Sequence, residues 1–196
     1  MIKRVYIFRH GETDWNREGR FQGHLDVPIN ETGRRQAIEL VSRLDGSGIE
    51  AILSSDLSRA YETARIVANQ LGIPVFSHEG LREAHLGEAQ GLVREEIERR
   101  FGTEIATKWR SNQISDADIC YPGGETGAAI MKRVFDAMEA FLHDRAYENV
   151  AISTHGGVIR RVMQRLLPPG SEMVPIPNTV LYLLTYDLKE RRWRSA

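Results

Sequence analysis

Short apolar runs alternate with amphipathic helical patterns along most of this 196-residue chain. The first run, Val5 to Phe8, is β-branched and aromatic and reads as a buried strand. Ala51 to Leu53, Pro74 to Phe76, Val150 to Ser153 and Thr179 to Tyr186 read the same way, with Lys189 to Arg194 as an added edge strand. Between them, Ala37, Leu40, Val41 and Leu44 recur at helical spacing behind Thr32 as N-cap, ending near Gly46-Ser47-Gly48. Ala60, Ala64, Val67, Ala68 and Leu71 form a second apolar stripe, stopped by Gly72. Further helices are predicted over Glu95 to Phe101, from Thr126 through Leu142, and over Val158 to Leu167. Residues 78–92 read as irregular, and Ser111 to Tyr121 as a loop or covering segment. The alternation predicts an α/β fold, a three-layer α/β/α sandwich with a mainly parallel sheet. Neither an internal repeat nor a linker interrupts it, so residues 1–196 read as a single domain.

The strand ends change the picture. The first apolar run stops at Arg9-His10-Gly11, the second at Ser54-Ser55-Asp56 with Arg59 just beyond, and the Val150 run at Thr154-His155-Gly156-Gly157. In open α/β sheets ligands bind beyond the carboxyl ends of the strands. If these three strands are parallel neighbours, two histidines and two arginines share one rim, with Glu83 within reach from the loop after the third strand. Such a set suits phosphoryl transfer without a metal, which depends on positioning and on neutralising charge. Gly11 would let the backbone turn sharply or approach a ligand closely. Arg59 sits at a helix start, where the dipole disfavours a cation unless an anion joins it.

Composition narrows the class further. The net charge of −1 carries no footprint for nucleic acid or a membrane surface. Cys120 is the only cysteine, so neither an intrachain disulfide nor a cysteine-based metal cluster can form. His10 and His155 lack the ligand spacing of a zinc site, and Arg9 would repel a dication. No apolar run approaches the roughly 18–20 residues of a membrane span, and Val5 to Phe8 is too short for a signal-peptide core, so the expected location is cytoplasmic. His24, His78, His85 and His143 read as surface or structural residues. The pairs Arg34-Arg35, Arg99-Arg100, Arg160-Arg161 and Arg191-Arg192 read as solvated faces, Arg160 being the member best placed to approach the rim.

Taken together, these motifs resemble the histidine phosphatase (phosphoglycerate mutase-like) superfamily. Arg9-His10-Gly11-Glu12-Thr13 with Trp15-Asn16 is similar to its signature, and Phe21-Gln22-Gly23, Asp26 and Pro28 to its next loop. Thr32, Gly33, Gln36 and Ala37 match its first helix start, and Ser54 to Ala60 with Thr63-Ala64 its second block. Leu81-Arg82-Glu83, Pro122-Gly123-Gly124-Glu125 and Thr154-His155-Gly156-Gly157 complete the series across nearly the whole chain. The resemblance implies that His10 is the nucleophile and Glu83 the general acid and later base. Arg9, Arg59 and His155 would bind the phosphoryl oxygens, while Asn16, Gln22, Gly23 and Gly156 line the phosphate or substrate pocket. A neutral imidazole attacks only through its unprotonated nitrogen, so a backbone carbonyl near Gly11 is expected to hold the other proton.

Two reactions fit this set. One is hydrolysis of a small phosphomonoester through a phosphohistidine, with no cofactor. The other is a phosphoglycerate mutase reaction that uses 2,3-bisphosphoglycerate. Family mutases follow the acid with a basic residue, whereas Ala84 stands here, and they carry a longer basic insertion before the Pro-Gly-Gly-Glu region. Glu83 to Gly87 and Gln90-Gly91-Leu92 lean the other way, and many family phosphatases have Glu at the position of Gln90. A phosphoryl-ligand binding module without catalysis is the third reading, disfavoured by retention of His10, His155 and Glu83. The expected partner is a small phosphorylated substrate, whose identity rests on residues 84–122; a sugar phosphate, phosphoglycerate, nucleotide or phosphoprotein all remain open. The Val180 to Leu184 run reads first as a core strand and second as the edge of a homodimer.

Overall fold

The computed structural model describes residues 1–109, 116, 118–168, 171–172 and 174–195. Its centre is a six-stranded sheet of β1 (Ile2–Arg9), β2 (Ala51–Ser54), β3 (Val75–Ser77), β4 (Asn149–Thr154), β5 (Leu181–Asp187) and β6 (Arg192–Ser195), ordered β3-β2-β4-β1-β5-β6. The first four strands in that order run parallel, while β5 and β6 are antiparallel additions. In register, Arg9 pairs with Thr154 and Ser54 with Ser153. The chain therefore leaves β1, β4 and β2 side by side at His10, His155 and Ser55.

Alternation along the strands makes both faces apolar, and helices cover each. Phe8, Ile52 and Ala151 pack with Leu40 and Leu44 of α2 (Glu31–Leu44) and Ala64, Val67 and Ala68 of α3 (Ser58–Leu71). Val5, Ile7, Leu53, Val150 and Ile152 point the opposite way. They join Ile130, Val134 and Met138 of α6 (Gly127–Asp144) and Val158, Ile159 and Val162 of α7 (Gly156–Leu166). Each such fully buried aliphatic or aromatic side chain contributes roughly 1.5–3 kcal/mol. This is the three-layer sandwich the pattern predicts.

Several boundaries differ from the sequence expectation. The cap of α2 is Asn30, not Thr32: its side chain accepts from Gly33 N at 2.9 Å, so the helix begins earlier, at Glu31. A four-residue helix, α1 (Asp14–Arg17), capped by a Thr13–Asn16 box, is too short to show a periodicity. Residues 78–92 contain 3₁₀ turns at Glu79–Leu81 and Gly87–Ala89, followed by α4 (Arg94–Phe101) and an unanticipated α5 (Thr103–Trp109). Helix α7 starts at Gly156 rather than Val158, directly after His155. Strand β5 starts later than Thr179 because that residue has φ 53° and Val180 N closes a turn onto Pro177 O. Flanked by β1 and β6, β5 is an interior strand, so the Val180 to Leu184 run does not form a sheet edge. Arg161 is buried rather than solvated, donating to Trp109 O at 2.7 Å and Gln164 Oε1 at 2.9 Å. Most of the expected covering segment Ser111 to Tyr121 lies outside the described residues. Among the described residues no helix is long and apolar enough to cross a membrane.

Candidate active site

A cleft of about 240 Å³ opens at the carboxyl ends of β1, β2 and β4. Arg9, His10, Asn16, Gln22, Gly23, Arg59, Glu83 and Gly156, all predicted from sequence, line it. His155 sits behind this lining, fully buried, with its ring centroid 5.2 Å from that of His10.

His10 is held from every side. Its N–H donates to Thr154 O at 3.0 Å, which ties it to β4. Its carbonyl accepts from Asn178 Nδ2 at 3.1 Å. Nδ1 lies 2.7 Å from Gly11 O, and a carbonyl oxygen can only accept, so Nδ1 carries the proton and Nε2 the lone pair. Burial, then the charges of Arg9 and Arg59, push the imidazole pKa well below 6.5 against the Gly11 carbonyl. The ring is a neutral imidazole of fixed tautomer, with Nε2 unprotonated. Gly11 itself hydrogen-bonds Thr63 Oγ1 at 3.0 Å, and a Cβ there would overlap the Gly33 carbonyl at the start of α2. The glycine is required by a backbone contact with a helix, not by a sharp turn or a ligand.

The cations are equally constrained. Arg59, at the start of α3, is fully buried and spreads its guanidinium over Leu25 O (2.9 Å), Gly23 O (2.7 Å) and His155 Nδ1 (3.2 Å). Burial lowers its pKa to about 10, which leaves it charged at neutral pH. Since Nδ1 of His155 accepts from Arg59, the neutral ring carries its proton on Nε2 and donates it to Ser55 Oγ at 2.8 Å. Burial and then Arg59 hold the His155 pKa well below 6.5 too. Arg9 donates through Nη1 to Ile176 O at 2.7 Å, while among the described residues its buried Nε has no partner, and neither has the buried Oε1 of Gln22. A buried donor without a partner costs about 1–3 kcal/mol.

Glu83 faces these groups across the cleft. One carboxylate oxygen accepts from Ala84 N at 2.9 Å and the other from Gly157 N at 2.9 Å, in the first turn of α7. A Cβ at Gly157 would overlap that carboxylate, so any side chain there would displace Glu83 from this position. Asn16 Oδ1 accepts from Thr13 N and Asn178 Nδ2, both at 3.1 Å, which fixes its amide. The outer wall adds Arg20, Phe21, Leu86, Trp109, Arg160 and Ile176. Of these, Trp109 and Ile176 gave no signal in the sequence, because α5 and the 174–178 turn carry no site-like pattern.

The order of these elements and the site at the β1 exit agree with a model of the histidine phosphatase superfamily (branch 1), which matches residues 5–196. The chain belongs to this superfamily. Phosphoglycerate mutase-like protein 4 of Arabidopsis thaliana is 40% identical over 177 residues, covering 89% of this chain and 76% of that protein. A metal-independent phosphoserine phosphatase of the same plant is 35% identical over 173 residues, covering 87% and 71%. A mycobacterial glucosyl-3-phosphoglycerate phosphatase, solved with VO3, superposes with a TM-score of 0.84 at 30% identity, covering 98% of this chain and 97% of that one. Histidine phosphatase superfamily members thus include both phosphatases and mutase-like proteins among the relatives of this chain. Among the described residues, no group of three His, Cys, Asp or Glu side chains is placed to hold a metal ion.

Proposed function

We propose that the chain hydrolyses a small phosphomonoester through a phosphohistidine on His10, without a metal cofactor. The observation that carries this reading is the tautomer of His10, whose Nδ1 is pinned to Gly11 O, leaving Nε2 as the nucleophile beside two guanidiniums. Nε2 attacks phosphorus as the ester P–O bond breaks, and Glu83 gives its proton to the departing oxygen. Arg9 and Arg59 neutralise the charge spread over the phosphoryl oxygens. The Glu83 carboxylate then takes a proton from water, whose oxygen displaces Nε2, releasing inorganic phosphate and restoring neutral His10. His155, linking Arg59 to Ser55, adds a polar group behind the phosphoryl site. Asn16, Gln22, Gly23 and Gly156 contact the phosphate or the substrate. A cytoplasmic setting completes the proposal.

The names of the relatives support a substrate in which the phosphoryl group sits on a small hydroxy or amino acid derivative. The mutase-like relative supports a second reading, in which the phosphoryl group returns to another hydroxyl with 2,3-bisphosphoglycerate as cofactor. Phosphate release from phosphoserine, 3-phosphoglycerate and a sugar phosphate panel, measured with a chelator present beside a mutase assay, decides between them. Release that survives the chelator and disappears in His10→Ala is expected. Isomerisation without release would overturn hydrolysis in favour of the mutase.

A further inference from the structure

Behind Glu83, away from the cleft, lies a hydrogen-bonded assembly centred on Arg133 of α6. All five N–H donors of its guanidinium are engaged. Nη1 donates to Gly80 O at 2.8 Å and Arg82 O at 2.7 Å, Nη2 to Glu83 O at 2.9 Å. Its remaining donors form a bidentate pair with Glu125, Nε to Oε1 at 2.8 Å and Nη2 to Oε2 at 2.9 Å. Glu125 in turn accepts from His85 N at 2.7 Å, gripping the chain on the far side of Glu83. Burial works against ionisation of Glu125, yet the bonds from Arg133 and the His85 N–H hold its pKa below the ordinary value. His24 adds a second donor to Glu83 O through Nε2 at 2.7 Å, and its own backbone N–H is held by Gln90 Oε1, also at 2.7 Å.

We propose that Arg133 is a positioning residue for the general acid, fixing with Glu125 and His24 the backbone of residues 80–85 so that the Glu83 carboxylate meets the leaving oxygen. The inference rests on the role given to Glu83 above. The carbonyls of Gly80, Arg82 and Glu83 converge on one guanidinium, and the stretch between Leu81 and Leu86 has no strand or helix to shape it. Charge-assisted, bidentate bonding supplies the rigidity a loop lacks. The carboxylate needs that rigidity, because a misplacement of about 1 Å costs on the order of 100-fold in rate.

The test exploits the leaving group. 4-Nitrophenolate departs without a proton, whereas the alkoxide of benzyl phosphate needs one. Single-turnover release of each leaving group is followed in wild type, Glu83→Gln, Arg133→Met, Arg133→Lys and Glu125→Gln. Arg133→Met is expected to lose roughly 100-fold on benzyl phosphate while losing less than about threefold on 4-nitrophenyl phosphate. Glu83→Gln should show the same split, and Arg133→Lys and Glu125→Gln, which keep the volume, a smaller one. Equal loss on both substrates in Arg133→Met, Arg133→Lys and Glu125→Gln alike would make the assembly merely structural and overturn the inference. A split in Glu83→Gln without one in the Arg133 and Glu125 variants would overturn it while leaving the acid role standing. No split in Glu83→Gln would remove the acid role, and the inference with it.

Discussion

Two imidazoles sealed beside two guanidiniums make the rim sensitive to acid. His10 and His155 are neutral in the fold because burial first, and the nearby arginines second, hold their pKa values well below 6.5. In the unfolded chain both return to about 6.5. Below that pH the unfolded state binds more protons than the native one, so stability falls as pH falls. The loss reaches ~1.4 kcal/mol per pH unit for each imidazole between pH 6.5 and its folded value. Urea unfolding at pH 7.5, 6.5 and 5.5 is expected to show this decline, with the slope reduced by about one proton in His10→Ala. A flat profile over that range would contradict the neutral, buried assignment. Arg9, His10, Arg59 and His155 stand out in the sequence because each lies just beyond an apolar run that ends abruptly, whereas Glu83 sits further along a loop and its role came from the family resemblance. The burial of Arg161 could not, since an arginine pair looks the same on a solvated face and under Trp109. Arg133 was equally invisible, because its partners are carbonyls some 50 residues distant in sequence.

Helix α2 and the His10 loop are packed backbone to backbone. Gly11 meets Gly33, and a Cβ on Gly33 would in turn overlap the Glu12 carbonyl, so neither residue leaves space for a methyl group. Gly11→Ala should therefore move α2 outward or tilt the His10 loop, at a cost of about 1–3 kcal/mol. Thermal unfolding measures the first effect, and phosphorylation of His10 by a fast aryl phosphate the second. An unchanged melting temperature would show that the contact yields without strain. Elements with a clear period, such as α2, α3, α6 and the three parallel strand ends, were legible. Those set by tertiary contact were not: α1 is four residues long, α5 follows Gly102 with a weak pattern, and Asn30 competes with Thr32 for the same cap. Nor does a two-residue period carry direction, which is why the antiparallel course of β5 had to come from the structure.

At the scale of the molecule, on the proposed reading the cleft is a preformed anion trap. Inorganic phosphate should stabilise the fold by about 2.7 kcal/mol at one hundred times its dissociation constant, seen as a rise in melting temperature. The rise is expected to persist in His10→Ala and to shrink in Arg9→Met, which removes one cation from the cleft; no rise in either would speak against an anion site. The two ends of the sequence meet at this trap. Arg9 N donates to Val180 O at 3.2 Å, Arg9 Nη1 reaches Ile176 O, and Asn178 bridges His10 O and Asn16. The Arg9-His10 motif is thus held in place only once residues 176–180 have folded back beside β1. Completion of the rim therefore waits on contacts between residues more than 160 positions apart, so the proposed site assembles with the whole sheet rather than locally.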